Sequence, residues 1–355
     1  MELYAIIMAG GVGSRFWPRS KQKKPKHLIR ILSENTLIQD TVNRLDGIIK
    51  KENILVVTNH LQKVRVKEQL YNIPDENIIA EPFGKNTAAC IGLATILVKK
   101  RSENAVTIVL PADHVIHNIK EFHKTVLRAA EYASKSKELV TIGITPSYPE
   151  TGYGYIQFDE DEVASRMHKV LTFAEKPNVA TAKRFLEDGG FLWNSGIFIW
   201  TLEAVLNQIE KFLPEQYQGL LEIEKSIGTE NYEKILTQVY GQFKSISIDY
   251  GILEHSKSVC VTKGEFDWSD LGSWEAVYEL SPKDDEGNVK IGDVYTENTF
   301  SSYIFSPQKF TAVIGAEHLL VINTKDSLLI CHRNNAQDVK HVVDHLRMNK
   351  RSELT

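Results

Sequence analysis

Residues 3–13 read LYAIIMAGGVG. The first seven form a short apolar run rich in isoleucine, which is typical of a buried strand. Three glycines follow at Gly10, Gly11 and Gly13, where the backbone can take positive φ and approach a ligand closely. A buried strand that runs into a glycine-rich turn is typical of an α/β fold whose ligand lies at the carboxyl end of the strand.

The next hundred residues repeat this unit. Further strand-like runs cover residues 53–59, 77–81 and 105–113, and helix-like spacing covers residues 37–45, 61–70 and 86–100. Asn86 or Thr87 is a candidate cap for the last of these helices. The alternation predicts an α/β protein with a doubly wound, Rossmann-like sheet covered by helices.

The pattern changes after residue 137. Strand-like segments with one inserted helix indicate extra strands on the same sheet, and helical patterns resume at residues 202–239. The polar segment SPKDDEGN (281–288) is typical of a linker. We therefore predict a main α/β domain over residues 1–285. Short strand-like pieces then predict a β extension over residues 286–355, β-helix-like, that ends in a helix over 336–349.

Composition narrows the class of protein. The chain has 355 residues, a formal net charge of -4 and 42% hydrophobic residues, which disfavours a general nucleic-acid binder. No apolar run reaches the ~18 residues of a membrane span, and the acidic Glu2 is unlike a signal peptide. Three scattered cysteines without a CxxC pair favour a reduced compartment. We expect a cytoplasmic protein with no membrane or nucleic-acid partner.

His341 and His345 lie on either side of Asp344 on a polar helix. A solvated helix face explains this pattern more simply than a metal site does.

Positive charge is nevertheless concentrated directly behind the glycine turn. Residues 9–28 read AGGVGSRFWPRSKQKKPKHL, and six of them are basic within twelve positions: Arg15, Arg19, Lys21, Lys23, Lys24 and Lys26. The dinucleotide pattern GxGxxG fails because Phe16 replaces the third glycine, and the P-loop pattern fails as well. A solvated loop or a nuclear localisation patch is the alternative interpretation for the basic run.

Two of the six cations are the better candidates for binding phosphate. Arg15 lies near Gly13, and Lys26 follows Pro25, so each has a stiff neighbour that fixes where its charge points. A guanidinium and an ammonium together suit adjoining phosphates, which favours a triphosphate. We interpret Lys21, Lys23 and Lys24 as a solvated, mobile part of the loop.

Carboxylates at strand ends are candidate metal ligands. Asp113 ends the strand of VLPADH, where it can bind Mg²⁺ or simply cap a turn. Asp267 and Asp270 flank Trp268 and supply a second candidate. Glu81, in EPFGKNTA, offers an acceptor to a purine edge. The segments TGYGYI (151–156), EKP (175–177) and WNSGIF (193–198) offer partners for sugar hydroxyls.

In combination these residues resemble the sugar-nucleotidyltransferase family, and within it the mannose-1-phosphate guanylyltransferases. The loop 9–28 is similar to the signature of that family. The other matching motifs occur in the family's order: EPFGKNTAA, LPADH, GYGYI, FAEKP, WNSGIF, SIDYGILE and DWSDLGSW. The resemblance covers residues 3–280 and extends into the β extension. It implies the nucleotide-diphospho-sugar transferase fold, with a nucleotidyltransferase catalytic domain over residues 1–285 and a left-handed coil in the extension.

The resemblance also implies a reaction and a site. GTP and α-D-mannose 1-phosphate would give GDP-mannose and pyrophosphate, by Mg²⁺-assisted in-line attack on the α-phosphorus. The implied catalytic residues are Arg15, Lys26, Asp113 and Asp270. Asp113 and Asp270 would be the metal ligands, Asp270 rather than Asp267 because it matches the family's metal motif. The implied nucleotide-binding residues are Gly10, Gly11, Gly13, Glu81, Pro82, Asn86, Thr87 and Asp113. The implied sugar-binding residues are Gly154, Glu175, Lys176, Asn194 and Asp249.

Departures from the family are few. Arg19 stands where leucine is common, and Lys85 stands where arginine is common. The chain is too short for the isomerase domain of many relatives, so we expect a single activity, and we expect a homodimer contact through the β extension. Three alternatives stay open at this point. The first is the same reaction on another nucleotide or another sugar phosphate, such as a heptose or glucose phosphate. The second is a non-catalytic nucleotide-sugar sensor, and the third is an NAD-dependent oxidoreductase, which the failed glycine pattern disfavours.

Overall fold

A nine-stranded mixed sheet is the centre of the protein. The computed structural model describes residues 1–355. The strands of the first 285 residues are β1 Leu3–Met8, β2 Ile54–Asn59, β3 Ile78–Glu81, β4 Val106–Pro111, β5 Val115–Ile116, β6 Leu139–Ile144, β7 Tyr155–Ala164, β8 Met167–Ala174, β9 Phe191–Thr201, β10 Val259–Lys263 and β11 Trp268–Ser269. The helices are α1 Leu37–Asn43, α2 His60–Gln69, α3 Asn86–Lys99, α4 Ile119–Ser136, α5 Val179–Asp188, α6 Leu202–Phe212, α7 Pro214–Ser226, α8 Tyr232–Gln242, α9 Trp274–Leu280 and α10 Val339–Met348.

Strand order explains where a ligand binds. The sheet runs β3-β2-β1-β4-β9-β6-β10-β8-β7. The first four strands are parallel, and β9 enters between β4 and β6 antiparallel to both. The carboxyl ends of β1, β3 and β4 therefore lie along one edge, and the loops that follow them converge there. The predicted α/β fold with a doubly wound mixed sheet is confirmed.

Both faces of the sheet are buried, as period-2 alternation along β1 requires. Ile7 packs with α1, α2 and α4 on one face, whereas Ile6 packs with α3, α6, α7 and α8 on the other. Neither side chain has any exposed surface. A strand that is buried on both faces reads as a continuous apolar run, and this is why the sequence shows no polar alternation in residues 3–9. None of the helices combines the length and the apolar character that crossing a bilayer requires.

The last segment is built on a second, smaller sheet. Its strands are β12 Val289–Phe300, β13 Tyr303–Glu317, β14 Leu319–Asn323 and β15 Leu328–His332. The first three are parallel and β15 is antiparallel to β14, which makes the extension β-helix-like. The first two strands are longer than the short pieces that the sequence predicts, and α10 begins at Val339 because a 3-10 turn occupies residues 333–338. The boundary at 285/286 and the left-handed coil stay predictions.

A third apolar cluster joins the extension to the glycine-rich loop. Phe16 and Trp17 from the loop pack with Trp274 of α9, Tyr303 of β13 and Val343 of α10. Phe16 and Trp274 lie with ring centroids 5.2 Å apart. The loop is therefore held between the large sheet and the β extension.

Candidate active site

The loop after β1 is closed on itself by short contacts. Gly13 has a φ of 68°, and a Cβ there would lie 2.5 Å from the Cβ of Lys26. The Oγ of Ser20 donates to the carbonyl of Gly13 at 2.5 Å, and the amide of Lys26 donates to the carbonyl of Val12 at 3.3 Å. Only glycine fits position 13, because both the backbone angle and the space exclude a side chain.

The two cations that the sequence favours differ in their surroundings. Lys26 is buried, with 5% of its surface exposed, and its Nζ lies 2.9 Å from Oδ2 of Asp113. The same Nζ donates to the backbone carbonyl of Asp270 at 2.6 Å. Arg15 is exposed and makes no side-chain hydrogen bond or ion pair. Lys26 is thus fixed in position, while the Arg15 guanidinium is free to meet a ligand.

Asp113 is held as a carboxylate by its neighbours. Burial, the largest single influence, would raise its pKa, but the charge and hydrogen bond of Lys26, together with His114 and His27, outweigh burial and lower the pKa to about 2. The adjacent His114 has its pKa lowered to about 4 by burial, so its imidazole is neutral at pH 7. His114 Nδ1 accepts a hydrogen bond from Trp268 Nε1 at 3.2 Å. The ammonium of Lys26 is therefore the charge that opposes Asp113 at neutral pH.

Asp270, and not Asp267, joins this cluster. The hydroxyl of Tyr153 donates to Oδ1 of Asp270 at 2.6 Å, and the backbone of Asp270 contacts Lys26. Asp267 is exposed, and its backbone carbonyl accepts from the amide of His117 at 3.2 Å. The placement favours Asp270 as the second acid of the site, although its part as a metal ligand stays a prediction.

Glu81 forms a second polar centre at the end of β3. The hydroxyl of Tyr240 on α8 donates to its Oε1, and a Cβ on Gly10 would lie 3.6 Å from its Oε2. Burial raises the pKa of Glu81 to about 7, although the Tyr240 hydrogen bond works in the opposite direction. The end of β3 and the glycine loop after β1 therefore face each other, as the strand order requires.

The residues after Glu81 form the start of α3. Asn86 is exposed with a φ of 68°, and its Oδ1 accepts from the amide of Thr87 at 2.8 Å. The Thr87 hydroxyl accepts from the amide of Ile248 at 2.8 Å. The prediction that Asn86 or Thr87 caps α3 is wrong, because Lys85 occupies the cap position and makes no side-chain cap bond. Pro82 is half-buried beside them.

A third polar centre lies around the start of β7 and the middle of β9. Asn194 Nδ2 donates to Oδ1 of Asp249 at 2.8 Å, and the amide of Asn194 donates to the carbonyl of Gly154 at 2.8 Å. A Cβ on Gly154 would collide with Oε2 of Glu175, which is ion-paired with Lys176. Burial, with the charge of Glu175, raises the pKa of Asp249 to about 6. All five residues that the sequence assigns to a sugar thus occur together.

The centres are connected through side chains that sequence reasoning missed. Tyr153 binds Asp270 in the first centre, and Gly154, its neighbour in the chain, belongs to the third. Tyr240 completes the second centre by its bond to Glu81. Tyr153 stands inside the quoted motif TGYGYI, so a signal for it existed, whereas Tyr240 lies in a helix with no motif around it.

One predicted feature of the loop is wrong. Lys21 is not solvated and mobile, because its Nζ lies 2.5 Å from Oδ2 of Asp326 in the β extension. The backbones of Lys21 and Lys24 also pair with each other through two bonds of 2.9 Å. Lys23 and Lys24 are exposed, as predicted.

The family model for nucleotidyl transferases matches residues 4–287 of this chain. The chain belongs to the nucleotidyl transferase family. A second model, described as a MannoseP isomerase/GMP-like beta-helix domain, matches residues 294–346. The predicted family, the predicted enzyme class and the β-helix-like extension are confirmed.

Relatives support a narrower assignment. A mannose-1-phosphate guanylyltransferase of Klebsiella pneumoniae is 38% identical over 99% of this chain and 75% of the relative, and one of Escherichia coli has the same identity and coverage. The crystal structure described as mannose-1-phosphate geranyltransferase from Thermus thermophilus superposes with a TM-score of 0.89 at 29% identity, covering 98% of this chain and all of that one.

Proposed function

We propose that this protein transfers GMP from GTP to α-D-mannose 1-phosphate, giving GDP-mannose and pyrophosphate. The observation that carries the proposal is the buried Lys26, held between Asp113 and Asp270 beside a glycine-rich loop. Acids from two distant segments and a fixed cation at the edge of a parallel sheet suit phosphoryl chemistry. Similarity to guanylyltransferases over 99% of the chain supports the choice of substrates.

The reaction requires mainly that the two substrates be aligned and that the negative charge of their phosphates be neutralised. A phosphate oxygen of mannose 1-phosphate attacks the α-phosphorus of GTP, and the bond from that phosphorus to the bridging oxygen of the β-phosphate breaks as pyrophosphate leaves. An ammonium has three N–H donors, and Lys26 uses two of them on Asp113 and Asp270. The third donor is available to a non-bridging oxygen of the α-phosphate, where negative charge builds up. Arg15, exposed and unpaired, is placed to neutralise the leaving pyrophosphate.

The residues present fit a magnesium ion that is shared with the substrate. No group of three or more His, Cys, Asp or Glu side chains is placed to hold a metal ion by itself. Asp113 and Asp270 each leave one carboxylate oxygen without a hydrogen bond, Oδ1 and Oδ2 respectively. Mg²⁺ is commonly held by one or two carboxylates together with substrate phosphates, so the donor set is suitable. When bound, Mg²⁺ neutralises the phosphates and orients them.

The other two centres are assigned to the parts of the substrates outside the phosphates: guanosine at one and mannose at the other. Glu81, with Gly10 facing it and Gly11 next in the chain, offers an acceptor and backbone amides to guanine and its ribose. Gly154, Glu175, Asn194 and Asp249 offer acceptors and an amide for mannose hydroxyls. Tyr153 links Asp270 of the phosphate centre to the sugar centre, which helps to keep the attacking phosphate in line.

The experiment is a substrate panel. GTP, ATP, UTP and dTTP are each paired with mannose, glucose and heptose 1-phosphates, and pyrophosphate release is measured. We expect GTP with mannose 1-phosphate to give the highest kcat/KM. A preference for another pair would contradict the assignment of the substrates, and NAD-dependent turnover or a complete lack of turnover would contradict the assignment of the activity.

We also propose that two copies associate through the β extension. Its strands present exposed apolar side chains to solvent, among them Tyr295, Phe310 and Ile314. Tyr295 pairs with Ala312, which lies between Phe310 and Ile314 along β13, so the three side chains are neighbours, and neighbouring exposed apolar side chains suit an association surface. A Phe310→Glu variant combined with Ile314→Lys is expected to shift the mass measured by light scattering from dimer to monomer, and an unchanged mass would contradict this surface.

A further inference from the structure

The outer side of the glycine-rich loop forms a basic cavity that the catalytic proposal does not use. The cavity has a volume of about 750 Å³ and lies between the loop, α2 and the β14–β15 turn. Six basic side chains line it: Arg19, Lys21, Lys23, Lys24, Arg65 and Lys325. Two acidic side chains line it, Asp326 and Glu353, so positive charge is in excess by four.

Most of this charge has no partner within the protein. Arg19 donates to the carbonyl of Arg30 at 2.5 Å and lies 4.1 Å over the ring of Phe305, and Lys21 pairs with Asp326. The other four cations make no ion pair and no side-chain hydrogen bond to an acid: Lys23, Lys24, Arg65 and Lys325. Although the residue is exposed, the pKa of Lys24 is lowered first by partial desolvation of its ammonium and then by the charges of Arg19, Arg65 and Arg30. Like charges held this close repel one another, and an anion would relieve the repulsion.

We propose that this cavity binds a phosphorylated small molecule, and that binding there tunes the catalytic loop. The volume lies within the range of small-molecule sites, about 300–1,000 Å³. Several convergent cations suit a phosphate group with two negative charges. A concave site between three elements suits a small ligand better than a duplex, whose backbone needs an open surface.

The loop provides the connection to the catalytic centre. Lys21 and Lys24 are paired backbone to backbone, and Lys26 lies two residues further along with its amide bonded to Val12. The outer cations and the catalytic lysine are thus parts of one closed turn. A ligand that fixes Lys23 and Lys24 restricts the turn that carries Lys26, and this lowers the ordering that GTP itself must impose.

Inorganic phosphate is the probe, and calorimetric titration is the measurement. The titration is run at constant ionic strength on protein saturated with GDP-mannose and Mg²⁺, which fills the sites of the two phosphates that the product retains. Phosphate held at the site of the leaving pyrophosphate, near Arg15, would bind to the cavity variant as it binds to the wild type. We expect one phosphate per chain. The Lys24→Gln/Arg65→Gln variant is expected to raise its Kd about tenfold or more, because two contacts to a charged group are lost. The matched control, Lys63→Gln/Lys100→Gln, removes the same charge outside the cavity and is expected to bind phosphate like the wild type.

The second measurement tests the coupling, which rests on the proposed function. We expect phosphate to lower the KM for GTP in the wild type and in the control variant. We expect this decrease to be absent in the cavity variant. Equal phosphate effects in the wild type and in the cavity variant would place the effect at the catalytic centre and overturn the coupling. Equal phosphate affinity in the two, or no binding to the wild type, would overturn the site itself. Failure of GDP-mannose to bind would count against the proposed function alone, because the titration of all three proteins can be repeated on the free chains.

Discussion

Replacement of Lys26 by methionine separates the catalytic and structural parts of this residue. Methionine has a similar length and no charge, so the change removes the ammonium and both of its bonds, to Asp113 and to the carbonyl of Asp270. Loss of one donor to the charge that develops in the transition state costs about 10²–10³ in kcat. We expect a loss of this size in pyrophosphate release at saturating substrates.

The cost in stability follows from Asp113. Its pKa falls from 3.8 to about 2 in the folded protein, because Lys26 and the neighbouring histidines together outweigh burial, and a shift of this size corresponds to about 2 kcal/mol for a fully buried group. The side chain of Asp113 is 35% exposed, and solvent screening reduces the expected loss to about 1 kcal/mol. A folded-state pKa below the unfolded value stabilises the fold above about pH 4, and this stabilisation is lost as the pH falls through about 2. Urea unfolding of the variant at pH 7 measures the free energy that is lost.

A second substitution distinguishes the two effects. Lys26→Met/Asp113→Asn removes the unpaired carboxylate, so the free energy of unfolding is expected to recover while kcat stays at or below that of the single variant. Two results would refute the reasoning: kcat within about threefold of the wild type in Lys26→Met, or recovery of kcat in the double variant.

Three further predictions concern the other centres. The Asp270→Asn variant keeps an acceptor for Tyr153, so its fold is expected to persist while its turnover falls more than about 10²-fold. The matched Asp267→Asn variant is expected to keep full turnover. Equal losses in the two variants would contradict the choice of Asp270. Glu81 has a folded-state pKa of about 7, above its ordinary 4.5. The free energy of unfolding is therefore expected to fall by up to about 3 kcal/mol between pH 4.5 and 7. If the Glu81→Gln variant shows the same dependence of unfolding free energy on pH, another group causes it. In the Gly154→Ala variant the new methyl group displaces Glu175. The KM for the sugar phosphate is therefore expected to rise about tenfold or more, while the KM for GTP stays nearly constant. A rise in both KM values would place Gly154 outside the sugar site.

Local pattern is sufficient to predict the framework of this protein. The apolar run of residues 3–9, buried on both faces of the sheet, identifies a central strand without any knowledge of its partners. The same holds for the strand ends, where the positions of Glu81 and Asp113 follow from the runs that precede them. The topology then brings both residues to one edge, as a parallel sheet must.

The features that local pattern does not predict depend on distant partners. Tyr153 bonds to Asp270 across 117 residues, and Tyr240 bonds to Glu81 across 159. The polar neighbours of Lys21 in the chain predict a solvated side chain, yet its partner Asp326 is 305 residues away. Spacing reports helix faces and strand alternation, whereas contacts of this kind depend on how the elements pack.

The packing of the loop against the end of the chain has a consequence for biosynthesis. Trp17 Nε1 donates to the carbonyl of Leu354, and Trp274 Nε1 donates to the carbonyl of Trp17. The segment that carries Lys26 is synthesised well before its packing partners, because Leu354 follows Trp17 by 337 residues. The packing of the loop is therefore completed only after residues 339–354 have been made, when α10 closes over it.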